Sequence, residues 1–478
     1  MLKLRYTLIL LSLILVLVAF SYCQQKTSVF KIYYISSSEG DDKNDGLSPL
    51  TPWKSFENIK EIILLPGESI LLKRGDEFTN LELNKVGNGT VENMITLGSY
   101  GNESDPLPVL NAGKMHVKSL YILNLSNWKI QDLHLKGSTS HQMVVNPKQA
   151  HCENIKILRC HIDGSAGQHG LRFETNPESQ ALFGARNIEI AYCLIENAGH
   201  GVDNVSDGIN APNIQKGAYI HHNRLINNVS EAIDIGAGKN HIVEYNFIDG
   251  KGYFDSGGIK THVQTGNKVN DTENVIIRYN IIKDCIQHGI QIQDPRNIHV
   301  LNNTVYSDIP EAKVVFLMGT ANEDQYNINE WVTGNLVQNN IFFGNTYNPK
   351  QAVLRFTGNK YGGPSVIWND VNKINFSHNL IYGGDYPGKL LVRILHDPII
   401  DFYSSNTSDS LKVDKFFEIH KVNYTSNPFL NDPKSDDFSL KPDSPGIDNG
   451  TPHEVKRDFL NIKIKNRPNI GAIEKITT

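Results

Sequence analysis

The sequence predicts an all-β chain folded as a parallel β-helix, a solenoid closed by an N-terminal helical cap and a C-terminal cap. Three observations carry that prediction. Residues 214–293 state one unit three times. Lys216-Gly217-Ala218-Tyr219-Ile220-His221-His222-Asn223 leads to Glu231-Ala232-Ile233-Asp234-Ile235. Asn240-His241-Ile242-Val243-Glu244-Tyr245-Asn246 leads to Gly257-Gly258-Ile259-Lys260-Thr261-His262. Asn274-Val275-Ile276-Ile277-Arg278-Tyr279-Asn280 leads to His288-Gly289-Ile290-Gln291-Ile292-Gln293. Self-similarity on this scale marks a repeat architecture. The second observation is a column. Aligning the Ile-x-Ile strands stacks Leu133, Cys160, Cys193, Asn223, Asn246, Asn280, Asn303, Asn340 and Asn379. The third is strict alternation of apolar and polar residues inside each short strand, the period of a pleated ribbon.

The elements follow in chain order. Lys3 and Arg5 precede an apolar run from Tyr6 to Phe20, and Ser21-Tyr22-Cys23 offers small residues at the cleavage positions before Gln24. Residues 1–23 therefore read as a cleaved signal peptide, giving a secreted or periplasmic protein. A lipid anchor on Cys23 fits less well, because bulky Tyr22 precedes it. The run is short for a bilayer span, and no later stretch is apolar enough for one. Residues 24–115 hold the N-terminal cap and first coils. Trp53, Phe56, Ile59 and Ile63 have helical spacing, and an amphipathic helix there would cover the solenoid's open end. Residues 116–400 are the β-helix proper. Its coils are about 23 residues where bare and longer where loops are inserted. Residues 401–478 form the closing coil and C-terminal cap, with an exposed insertion at Ser404–Ser410.

Six Asn in register need a physical cause. An Asn at a tight corner tolerates the left-handed backbone conformation. Its amide also reaches the same amide one coil away, because stacked strands lie about 4.8 Å apart. Four cysteines remain beyond residue 23: Cys152, Cys160, Cys193 and Cys285. Cys160 and Cys193 share the column, as buried thiols or as a bridge. The net charge of −5 leaves no basic footprint for nucleic acid. A monomer is the expected assembly.

The opening Tyr33-Tyr34-Ile35-Ser36, with its Asp/Asn/Gly loop, Pro52-Trp53-Lys54-Ser55, Pro66-Gly67-Glu68 and Lys73-Arg74-Gly75-Asp76, resembles the start of secreted right-handed parallel β-helix proteins of the polysaccharide-lyase type. The ending is similar to theirs as well: Asp437-Phe438-Ser439-Leu440, Ser444-Pro445-Gly446-Ile447-Asp448 and Ile470-Gly471-Ala472-Ile473-Glu474. The resemblance implies the right-handed fold. It leaves the activity open among lyases, hydrolases and binding proteins.

Chemistry is expected on the outward side of the last strand of each coil. That side reads Arg172, Asn210, Asp234, Lys260 and Gln291. Two residues on, it reads Glu174, Pro212, Gly236, His262 and Gln293; just before the strands stand His169, Asp207, Glu231 and His288. Acids, Lys, Arg and His on one strip fit β-elimination of a uronic acid, in which a neutralised carboxylate makes loss of the C5 proton bearable. Arg172 is the candidate carboxylate clamp. Lys260 is the candidate base, with a pKa expected to be lowered by burial, and His262 is a second base or acid. His169, Asn210, His288, Gln291 and Gln293 are candidate substrate contacts. Asp207, Glu231 and Asp234 are candidate ligands for calcium, a cofactor the scheme admits. The implied substrate is an acidic polysaccharide or oligosaccharide, cut at a 4-linked bond or dehydrated at its non-reducing end. The Asn-Lys-Ser and Arg-His-Gly motifs of the alginate-lyase group are absent, so Lys260 and Arg172 rest on column position. Two alternatives stand beside this reading. One is a hydrolase using a pair from Asp207, Glu231 and Asp234, with Gly199-His200-Gly201 similar to polygalacturonases. The other is a non-catalytic carbohydrate-binding β-helix.

Overall fold

The computed structural model describes residues 30–474 except 176–181, 201–205, 237, 252, 254, 263–271, 294, 320–333, 346–350, 358–372, 386–387, 396–398 and 405–414. The chain divides after Lys31, and all that follows concerns Ile32–Thr478. The expected signal peptide, and most of the expected insertion at 404–410, lie outside the described residues.

One coil shows the plan. Ile214–His221 runs in a first sheet, Arg224–Ile226 in a second and Glu231–Ile235 in a third; the chain then re-enters the first sheet at Lys239–Glu244. Each strand pairs in parallel with its counterpart one coil on: Tyr219 opposite Ile242, Leu225 opposite Ile248, Ile233 opposite Ile259. Among the described residues the three sheets hold 13, 11 and 12 strands, and the plan holds until the last third-sheet strand, Ile400–Tyr403, which turns back antiparallel on Leu390–Leu395. The sequence pattern shows only the first and third strands. The second is three residues long, too short for alternation to register, and it sits in what reads as a polar corner. Inward residues such as Ile220, Leu225, Ile233, Ile248 and Ile259 are buried in one continuous core. Among the described residues no helix is long and apolar enough to cross a membrane.

The asparagine column is a hydrogen-bonded ladder. Nδ2 of Asn223, Asn246, Asn280 and Asn303 each donates to Oδ1 of the next ladder Asn at 3.0 Å, and Asn340 donates to Asn379 at 2.9 Å. Asn379 donates to Asn423 at 3.2 Å, adding a rung the repeat did not reveal. The left-handed residue is not the ladder Asn itself, as expected, but the one before it. Tyr192, His222, Tyr245, Tyr279, Asn302, Asn339 and His378 have φ between 50° and 58°. The buried amides hold that conformation on side chains that rarely adopt it. A second left-handed column opens the first-sheet strands: Asn127, Asn154, Asn187, Asn240, Asn274 and Asn297, with Gly217 and Gly334 at the same corner.

The caps depart from expectation. The N-terminal helix is a single five-residue 3-10 stretch, Glu57–Glu61. Trp53 pairs with Ile35 as a bridge, and Ile63 is 73% exposed. The spacing fits Phe56 and Ile59, three apart, as a 3-10 turn requires, and not a longer α-helix. At the other end the helix Lys415–Ile419 brings Phe416 against Phe376 and Phe402. Beyond it the chain runs back along the second sheet. Phe438, Leu440 and Ile470 there cover Phe247, Ile281, Tyr306, Ile341 and Tyr382. The four cysteines among the described residues, Cys152, Cys160, Cys193 and Cys285, are free and buried.

Candidate active site

Third-sheet register confirms the outward column residue by residue. Arg172 lies opposite Asn210, Asn210 opposite Asp234, Asp234 opposite Lys260 and Lys260 opposite Gln291. The column also extends beyond the sequence reading. Glu82, Tyr121 and Val144 precede Arg172, and Leu317, Arg355 and Arg393 follow Gln291. A signal for the last two was present: Val353-Leu354-Arg355-Phe356 and Leu391-Val392-Arg393-Ile394 repeat one pattern, although their ladder asparagines are widely spaced.

Beneath the strip lies a buried acidic cluster. Asp207 is 1% exposed. Its Oδ2 accepts from Asn210 Nδ2 at 2.5 Å, and its Oδ1 accepts from the Glu231 amide at 3.2 Å. Burial, then the charges of Asp234 and Glu231, raise its pKa well above the carboxylate range. Glu231 is also buried, and burial alone would raise it. The charges facing it, His288 and then Lys260, outweigh that and hold it down at about 2. Lys260 Nζ lies 3.1 Å from Glu231 Oε1. His262 Nε2 lies 3.1 Å from Asp234 Oδ1 without hydrogen-bond alignment, since that oxygen has no hydrogen-bond partner.

Two cations converge over this cluster. Arg172 reaches one coil forward, donating to Asn210 Oδ1 at 2.7 Å, while its Nε contacts Glu174 Oε2 at 3.2 Å. Lys260 reaches one coil back to Glu231. Their heads therefore sit over adjacent strands, Ile209–Ala211 and Glu231–Ile235. Two glycines make room for imidazoles beside them. A Cβ on Gly236 would lie 3.0 Å from His262 Nε2, and one on Gly257 would lie 2.8 Å from His288 Nε2.

Several expectations need correction. Lys260 does not have a lowered pKa. Burial pushes it down, but Asp234 and Glu231 outweigh burial and raise it, so it stands as an ammonium. His169, Asn210 and His288 are covered side chains, 7%, 8% and 6% exposed. His169 Nδ1 accepts the Asp207 amide at 2.8 Å, and Asn210 bridges Arg172 to Asp207. These residues position others. Gln291 and Gln293 remain half-buried on the strip. The calcium donor set does not fit. Asp207 is sealed, Glu231 holds Lys260, and no group of three or more His, Cys, Asp or Glu among the described residues could hold a metal. His200 is exposed and its ring meets the Asn227 carbonyl at 2.8 Å, off the strip; Gly201 lies outside the described residues. So do residues 263–271 and 320–333, which follow third-sheet strands in the sequence. A cavity of about 760 Å³ lies at the N-terminal end, lined by Lys54, Phe56, Phe78 and Glu82 among others; Glu82 stands three strands before Arg172 on the column.

No family model matches the chain. It is similar to a lacto-N-biosidase of Bifidobacterium longum subsp. longum, 40% identical over 87 residues, which is 18% of this chain and 5% of that protein. Two solved structures are also similar. A GH136 lacto-N-biosidase from Eubacterium ramulus has a TM-score of 0.52 at 15% identity, over 74% of this chain and 64% of that one. Pectate lyase Pel9A has a TM-score of 0.51 at 14% identity, over 94% and 98%. The chain thus spans a small part of the first relative and under two thirds of the second. At these identities the structural matches show the fold. The chain folds as a right-handed parallel β-helix, as both of those solved structures do.

Proposed function

We propose that the protein acts on uronic-acid glycans by β-elimination at the Arg172–Lys260 strip. The observation that carries this reading is the convergence of two cations from opposite directions beside an imidazole–carboxylate pair. A uronate carboxylate between Arg172 and Lys260 loses its charge to them, which stabilises negative charge developing at C5. His262, with Nε2 turned to Asp234, leaves Nδ1 to take the C5 proton. The C5–H electron pair becomes the C4=C5 double bond. The C4–O bond breaks, and the departing oxygen takes a proton from the Lys260 ammonium or from water. Lys260 thus serves as neutraliser and acid rather than base. No step is routed through calcium.

Hydrolysis is the second reading. The 87-residue match to a lacto-N-biosidase favours it, as do the opposite pKa shifts of Asp207 and Glu231. Against it, those two carboxyls lie within hydrogen-bonding reach of one another. A retaining pair stands about 5 Å apart and an inverting pair further. The test is a screen of pectate, alginate, ulvan and glycosaminoglycans for rising ultraviolet absorbance of a 4,5-unsaturated uronate. Reducing ends without that absorbance support hydrolysis, and neither signal supports binding alone.

A further inference from the structure

We infer that Arg355 is a second carboxylate-binding position, three coils beyond Lys260, so that the preferred ligand carries acidic sugars on at least two separated units. This rests on reading the third-sheet strip as a glycan groove. Lys260, Gln291, Leu317, Arg355 and Arg393 occupy one outward column on consecutive strands. Arg355 and Arg393 are therefore direct neighbours, about 4.8 Å apart at the backbone. Like charges directly opposite one another are unfavourable.

Among the described residues one carboxylate serves this pair, and it serves Arg393. Asp401 takes both prongs of the Arg393 guanidinium at 2.8 Å each, and Tyr403 donates to the same carboxylate at 3.3 Å. Arg355 has no ion pair or hydrogen bond among the described residues, and its Nε is buried without a partner. Burial, then the charge of Arg393, lowers its pKa. A buried, unsatisfied guanidinium N–H costs free energy until an acceptor arrives. The side chain is only half-buried, so a ligand can reach it. Its flat fork fits a planar carboxylate through two parallel hydrogen bonds, which a neutral sugar hydroxyl cannot match.

Distance sets the ligand's length. Three strand spacings separate Arg355 from Lys260 along the column, about 14 Å. That is further than one sugar ring extends. A ligand touching both is an oligomer lying across the strands. Leu317, between the two positions, offers an apolar surface for the intervening ring, and Gln291 offers a hydrogen-bonding amide.

The experiment uses the full chain and its Arg355→Gln and Arg355→Lys variants, each first shown to be folded by circular dichroism. Binding is measured by calorimetry for acidic disaccharides, acidic hexasaccharides of galacturonate, mannuronate and glucuronate type, and a neutral xylan hexasaccharide. The inference expects at least one acidic hexasaccharide to bind about tenfold or more weakly to Arg355→Gln, with a shallower salt dependence and partial recovery in Arg355→Lys. Disaccharide binding and turnover stay unchanged. Equal hexasaccharide affinity in wild type and Arg355→Gln overturns it, as does failure of every acidic hexasaccharide to bind wild type. If Arg355→Gln weakens binding but wild type produces no unsaturated uronate, Arg355 keeps its role and the elimination reading falls by itself.

Discussion

Replacing Asn280 with alanine tests the ladder that sets the register of the whole strip. Its Oδ1 accepts from the Asn246 amide and from Asn246 Nδ2, both at 3.0 Å. Its Nδ2 donates to Asn303 Oδ1 at 3.0 Å, the Val243 carbonyl at 2.9 Å and the Arg278 carbonyl at 3.1 Å. Some partners keep other bonds. Asn246 Nδ2 still reaches the Ile220 and Glu244 carbonyls, and Asn303 Oδ1 still accepts the Asn280 amide. The Asn246 N–H loses its acceptor in a fully buried corner. An orphaned buried donor costs about 1–3 kcal/mol, and each further lost bond costs roughly 0.5–1.5 kcal/mol. With four further bonds lost, the total is about 3–9 kcal/mol. Solenoid stability is close to a nearest-neighbour sum, so the damage should be local. Hydrogen exchange is the assay. The Asn246 amide should exchange more than about a hundredfold faster in Asn280→Ala, while amides near Ile35 and Leu72 keep their wild-type rates. Asn280→Asp should be worse than alanine, because it sets a carboxylate against two carbonyls. An Asn246 exchange rate within a few-fold of wild type would refute the ladder's role.

Four further outcomes follow from the site. Lys260→Gln should cost at least about a hundredfold in kcat on an active uronate substrate with the fold intact, since a preorganised charge is lost; near wild-type turnover would remove Lys260 from the chemistry. Gly236→Ala should push His262 off its contact with Asp234 and lower kcat more than it raises KM, with unchanged circular dichroism. A chelator should leave turnover unchanged, because the carboxylates are already held by Lys260 and His262. Burial holds the His288 imidazole down at about 4 from an ordinary value of 6.5. Below pH 6.5 the unfolded chain takes up a proton that the folded chain refuses, so stability falls as pH drops from 6.5 to about 4. The slope from this one group is about 1.4 kcal/mol per pH unit. His288→Asn should remove that much from the slope of denaturant midpoints against pH; an unchanged slope would mean that His288 is not buried neutral.

Periodicity made the solenoid legible, because inward Ile and outward polar residues recur with each coil. The outward column from Arg172 to Gln291 could be read for the same reason, as register in a stacked ribbon copies sequence alignment into space. Three kinds of fact were hidden. Arg224–Ile226 is too short to show a period. Whether His169 and His288 face solvent depends on packing between coils, which a single coil's pattern does not state. The protonation of Lys260 depends on Asp234 and Glu231 coming from the strand beside it, where two nearby anions outweigh burial. The left-handed residue before each ladder Asn was also missed. Tyr245 and Tyr279 are unusual choices for that conformation, and only the amide bonds across coils explain them.

The central claim is that this strip breaks a C4–O bond by removing the C5 proton. Mass spectrometry of the fragments from a uniform uronate oligomer tests it most directly. Elimination predicts that the non-reducing end of the released fragment is one water lighter than the same fragment cut by hydrolysis, and that Lys260→Gln releases it at least about a hundredfold more slowly. Fragments whose summed mass exceeds the substrate's by one water would contradict the account.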